Sequence, residues 1–161
     1  DAIRRLKDEG VLVVAAAGND GADLDTTPFY PACYNLDNIV SVAAIDETGV
    51  AASFGAGFST NFGTKVSLAA PGRNIYTTDI YGGYSPGQGT SMSAPFISAA
   101  ACLARSFVPG ISPIQIRDKF IDTAVQTTAL QPTPVNGGLV NIDAFLESMS
   151  VTSSGYWHLF N

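Results

Sequence analysis

The sequence predicts an α/β layered domain built on a mostly parallel sheet. Three observations carry this reading. Helix-like and strand-like segments alternate along the chain, two of the strand segments are almost wholly apolar, and turns rich in glycine and proline separate them. A strand apolar on both faces must be covered on both, which is the situation of a parallel strand between helical layers. The 161 residues give room for one domain with one core.

In residues 2–9, Ile3 and Leu6 stand at helical spacing among Arg4, Arg5, Lys7 and Asp8, and Gly10 after them is a helix stop. VLVVAAAG (11–18) reads as a central parallel strand covered on both faces. Helix, glycine and buried strand make half of an α/β crossover unit, cut open on its N-terminal side. Residues 19–38 lack periodicity and read as a long ordered loop of the functional kind. IVSVAAI (39–45) is a second buried strand, ended by the turn DETG (46–49). KVSLAAPG (65–72) is a third, after a stretch rich in Gly, Ser and Asn. Residues 74–88, with Gly82-Gly83 between two short runs, predict a two-stranded hairpin.

Residues 91–107 are almost all small or apolar, with Arg105 the only charge, so they predict a helix buried on every side. Pro95 is tolerated in a first turn and places the helix start near residue 91. Cys102, in the middle of this helix, reads as a buried reduced thiol, and Met92 as core. Ser112-Pro113-Ile114-Gln115 is a capping-box signal for a helix running to about Thr123. A last short helix is expected over 142–149, after the Asn136-Gly137-Gly138 turn.

Composition narrows the function. A net charge of −6 argues against a nucleic-acid partner, since phosphate backbones bind basic surfaces. No apolar run has the length of a membrane span. Two cysteines, Cys33 and Cys102, make neither a disulfide scaffold nor a zinc site. Asp20, Asp23 and Asp25 read as a solvated acidic turn, because the ordered twelve-residue calcium-loop pattern is missing. The charged start, DAIRRLKDEG, is not a signal peptide and leads to the expectation of a processed product or an excised fragment.

The chemistry concentrates at Gly89-Thr90-Ser91-Met92-Ser93-Ala94-Pro95. A serine in the first turn of a helix has its hydroxyl over unpaired backbone N–H groups, at the helix end that favours developing negative charge. Gly89 leaves room for close approach of a substrate backbone. Asn19 follows a buried strand at its C-terminal edge, where α/β proteins place ligands. Taken singly, Ser91 is an ordinary first-turn serine and Asn19 an ordinary turn former.

Together these residues resemble the GTSMAxP nucleophile motif of the subtilisin-like serine proteases. Further matches follow in family order: AAAGN (15–19), YPA (30–32), IVSVAAID (39–46), ASF (52–54), NFG (61–63), VSLAAPG (66–72) and GLVNIDA (138–144). The resemblance covers nearly all of residues 1–148 and leaves 149–161 as a C-terminal tail. It implies a three-layer αβα fold with its N-terminal part missing. It also implies serine endopeptidase activity, with Ser91 as nucleophile and Asn19 as oxyanion donor. Ala15, Ala16, Ala17 and Gly18 would form one wall of the substrate pocket, with Gly89 and Thr90 flanking the nucleophile. Two departures are the lengthened SFGAGFSTNFG (53–63) and the Pro and extra Gly in YSPGQGT (84–90).

In this family the triad Asp and His precede the Ser, and a neutral imidazole takes the serine proton. The only histidine here is His158, after Ser91 and in the tail, so it is not expected to be the base. The resemblance therefore implies a partner, an N-terminal protease fragment carrying Asp and His. It further implies peptide or protein substrates, an optional propeptide or inhibitor, secretion, and no cofactor for the chemistry. Structural calcium is an option that comes from the family alone. The alternative is a catalytically inactive fragment serving as a structural or peptide-binding module.

Overall fold

The computed structural model describes residues 1–130 and 135–150. Helix α1 (Ala2–Asp8) ends at Glu9, and Gly10, at φ 72°, turns the chain into β1 (Val13–Ala16). After a long loop come β2 (Ile39–Ile45), the short antiparallel pair β3 (Ser53–Gly55) and β4 (Phe58–Ser59), and then β5 (Leu68–Pro71). The hairpin β6 (Ile75–Thr78) and β7 (Tyr84–Gly87) leads into α2 (Thr90–Phe107). Helices α3 (Pro113–Thr123) and α4 (Ile142–Ser150) complete the described chain.

The central sheet has three parallel strands in the order β1-β2-β5, with Val14 opposite Val40 and Val42 opposite Leu68. β2 is apolar at every position but Ser41 because both of its faces are covered. Val40 and Val42 pack with Leu68, Ala70 and Ile97 on the α2 side, while Ala43 and Ile45 join Leu24, Val66 and Ala69 on the other. Helices α2, α3 and α4 form one outer layer, tied by the stacked rings of Phe120 and Phe145. The opposite face is covered by residues 19–38 and by α1, whose Ile3 packs with Ala15, Ala32 and Ile39. This is the αβα arrangement that the family resemblance implies and an instance of the α/β layering that the sequence pattern predicts.

The capping box of α3 forms as its residues dictate, with Ser112 Oγ accepting from the Gln115 N–H and Gln115 Oε1 from the Ser112 N–H. Two expectations are corrected. Among the described strands β1 stands at the edge and not in the centre: it pairs with β2 on one side only, and Ala15 alone of its four residues is buried. Nor is α2 buried on every side. Its 3.6-residue period turns Ser93, Ile97, Ala100 and Ala104 to the sheet, whereas Cys102 is exposed and Leu103 retains 46% of its surface. A run of small apolar residues permits burial without requiring it, because one sheet face covers only one side of a helix. The helix starts at Thr90, one residue before the expected position, which puts Pro95 in its second turn, and the N–H that Pro95 lacks is the one that would reach the Ser91 carbonyl.

Candidate active site

The site forms where the loop after β1 meets the start of α2. The last sheet bond on this strand runs from the Ala17 N–H to the Val42 carbonyl. Gly18, at φ 102°, then turns the chain away, in a conformation that a side-chain-bearing residue rarely adopts. Its N–H donates to Thr90 Oγ1 at 3.1 Å. Asn19 comes next, and its Oδ1 accepts from both the Thr90 N–H, at 2.9 Å, and the Thr90 hydroxyl, at 3.1 Å. Only an oxygen can accept from these donors, so the amide orientation is fixed by chemistry. Its Nδ2 has no partner among the described residues and remains a free donor.

Asn19 thereby caps α2 from a distance in sequence. The residue in the N-cap position is Gly89, at φ 125°, which has no side chain to offer the first N–H groups of the helix. Gly89 is itself held by its N–H to the Gly72 carbonyl at 2.8 Å. A Cβ on Gly89 would meet Asn19 Nδ2 at 3.4 Å, an ordinary contact, so it is the φ of 125° that calls for glycine here. Thr90 is fully buried, and Ser91, one residue further, is exposed. Neither the Ser91 hydroxyl nor its N–H has a partner among the described residues. Both stand at the positive end of an 18-residue helix. Ser93 is buried, its hydroxyl donating to the Ala70 carbonyl, and Met92 is half-buried beneath Gly87.

An open cleft of about 510 Å³ adjoins these groups, lined by Gly18, Asn19, Asp20, Phe29, Phe54, Phe58, Gln88 and Gly89. The structure thus brings Gly18, Asn19 and Gly89 to one cavity, with Thr90 behind them. Ala15 and Ala17 are buried and Ala16 half-buried, so of the AAAG run Gly18 is the residue in the lining. The three phenylalanines and Gln88, whose Nε2 donates to the Phe54 carbonyl, were not singled out from the sequence. Phe54 and Phe58 lie in the stretch rich in Gly, Ser and Asn, where they form β3 and β4. Asn61 was likewise overlooked as an individual residue; it was visible only as part of the NFG match.

The acidic loop is held by its own hydrogen bonds. Asp25 accepts from the Thr64 N–H and hydroxyl, both at 2.8 Å, and Asp23 accepts from the Asp25 N–H. The Thr64 N–H, followed by its hydroxyl, pulls the Asp25 carboxyl below its ordinary value. Among the described residues no group of three His, Cys, Asp or Glu is placed to hold a metal ion. Cys33 and Cys102 are both free thiols, with the Phe29 N–H donating to Cys33 Sγ at 3.3 Å. His158 lies outside the described residues.

The subtilase family model matches residues 1–142. Subtilisin DY of Bacillus licheniformis is 35% identical over 145 residues, covering 89% of this chain and 49% of the relative. Subtilisin Savinase of Lederbergia lenta is 38% identical over 144 residues, with the same two coverages of 89% and 49%. A halolysin-like extracellular serine protease, Nep of Natrialba magadii, is 41% identical over 117 residues, 72% of this chain and 20% of that protein. Among solved structures, the subtilase cytotoxin SubAB superposes with a TM-score of 0.80 at 23% identity, over 92% of this chain and 52% of that one. A protease of Pseudoalteromonas arctica gives 0.77 at 27% identity, over 92% and 45%. The chain spans about half the length of the subtilisins it matches, and no described helix is long and apolar enough to cross a membrane. With the family match running from the first helix to the start of the last, the chain belongs to the subtilase family.

Proposed function

We propose that this chain is the C-terminal part of a serine endopeptidase, and that it supplies the nucleophile and one oxyanion donor. The reading rests on one observation above all: Thr90 grips the carbonyl end of the Asn19 amide, and among the described residues Asn19 Nδ2, Ser91 Oγ and the Ser91 N–H have no partners. In the proposed reaction Ser91 Oγ attacks the carbonyl carbon of a peptide bond and forms a C–O bond. Its proton passes to an imidazole supplied by a segment outside this chain, which also carries the orienting Asp. Negative charge moves to the carbonyl oxygen, where Asn19 Nδ2 and the Ser91 N–H would donate to it, aided by the positive end of α2. The imidazolium then protonates the leaving amine, and water hydrolyses the acyl-serine by the reverse proton path.

The substrate-binding part of the proposal assigns the cleft beside Gly18 and Gly89 to extended peptide, with Ala15, Ala16 and Ala17 contributing backbone behind it. The substrates are peptides or proteins, and a propeptide or inhibitor would occupy the same cleft. An extracellular location belongs to the same proposal and is supported by the extracellular halolysin-like relative. The test is hydrolysis of a casein-derived peptide by the complete protease containing this chain, beside its Ser91→Ala variant. Loss of turnover in the variant supports the assignment. Unchanged turnover overturns it.

A further inference from the structure

We propose that Asn61 is a positioning residue for the oxyanion donor. It acts through Asn19, and the proposal rests on the reading of Asn19 given above. Asn61 is buried, with 1% of its surface exposed, shortly after β4. Its amide is used at both ends. Nδ2 donates to the Ala17 carbonyl at 2.9 Å, and Oδ1 accepts from the Asp20 and Ala22 N–H groups, each at 2.9 Å. Its main-chain N–H donates to the Gly18 carbonyl, also at 2.9 Å.

These bonds straddle Asn19. Asn61 grips two residues before it and two positions after it, while the Ser59 N–H donates to the Asn19 carbonyl at 3.1 Å. With the Gly21 N–H on the Ser59 carbonyl, every residue from 17 to 22 has a main-chain group bonded to residues 59–62. The direction of the Asn19 side chain is set by this backbone at one end and by Thr90 at the other. Removing the Asn61 amide deletes three of these bonds, to Ala17, Asp20 and Ala22, and leaves the turn to the remaining main-chain bonds and the Thr90 end. Asparagine is required because the site needs a donor and an acceptor in one flat group of this size: aspartate cannot donate to Ala17, and leucine offers neither function.

A merely structural asparagine would lower stability without acting through Asn19, so the test is a double-mutant cycle in the complete protease. Asn61→Ala and Asn61→Asp are each made in the native and Asn19→Ala backgrounds, and kcat and KM are measured for a peptide substrate. Asn61→Asp retains the volume and both accepting bonds, which keeps the cycle open if Asn61→Ala does not fold. The expected result is a fall in kcat of about tenfold in the native background, with KM changed less than about threefold. In the Asn19→Ala background the same substitutions should change kcat by less than about threefold. Equal losses in both backgrounds, or a lowered Tm with unchanged kcat, overturn the proposal. An Asn19→Ala variant with native kcat would instead overturn the oxyanion reading on which it rests.

Discussion

Asn19 and Thr90 are joined by two hydrogen bonds to a single oxygen. Asn19 Oδ1 accepts both the N–H and the hydroxyl of Thr90, and the same hydroxyl accepts the Gly18 N–H. One side chain therefore caps the helix that carries Ser91 and keeps its own Nδ2 without a partner among the described residues. The two roles sit on opposite ends of the amide and are separable by substitution.

Asn19→Asp should separate them. The carboxylate still accepts from Thr90 and is favoured at a helix N-terminus, so the thermal midpoint should stay at or above that of the native protein. The donor is lost, and kcat should fall by about 10²–10³, a size inherited from subtilisin's own oxyanion asparagine. Asn19→Ala should lose the cap as well, lowering stability by about 1 kcal/mol. Thermal melts beside steady-state kinetics read both effects.

Gly18→Ala should destabilise the loop. The residue has φ 102°, and its new Cβ would run into the Asn61 amide and come within 3.3 Å of the Phe29 ring. Strain of this kind costs about 1–3 kcal/mol, and the displacement bears directly on Asn19. Urea denaturation should show the loss in stability, and the same sample should show reduced kcat.

Acid sensitivity should be partly traceable to Asp25. Its carboxyl is held below the ordinary value of 3.8, chiefly by the Thr64 N–H and then by the Thr64 hydroxyl. A depressed folded value means that the stabilisation is present above 3.8 and is lost as the pH falls through the lower folded value. Asp25→Asn should flatten the decline of the thermal midpoint with acidification in that window, while leaving the α2 end of the site unchanged.

How much of this was legible in the sequence differs by element. The α3 cap was fully readable, because Ser112 and Gln115 satisfy each other within one turn and need no tertiary partner. β2 was readable because burial on two faces leaves an apolar run broken only by Ser41. Ser91 and Asn19 stood out through the motif around them. By contrast, the apolar sequence of α2 carries no mark of which side meets the sheet, so the exposure of Cys102 and Leu103 could not be read. Asn61 was hidden for a different reason: a buried asparagine that bonds to distant backbone looks, in sequence, like any loop asparagine. The edge position of β1 depends on which strands pair with it, and that is a property of the assembled sheet.

That edge predicts the behaviour of the chain by itself. The second side of β1 has unpaired main-chain groups among the described strands, and α2 presents Leu103 and Phe107 outward at 46% and 45% exposure. Such an edge and face favour association over a stable monomer. Sedimentation of the isolated chain should show self-association or a broad, non-cooperative melt, and a segment carrying the Asp and His should sharpen it. A cooperatively folded monomer would remove the case for a partner segment.

The most direct test of the central claim is covalent. The complete protease is incubated with a fluorophosphonate, and the intact mass and the modified peptide are determined. An adduct on Ser91 that is lost in Ser91→Ala is the predicted result, since only a serine with a base beside it reacts rapidly. A folded, complete protein that leaves Ser91 unmodified would contradict the account and favour an inactive, peptide-binding role for this chain.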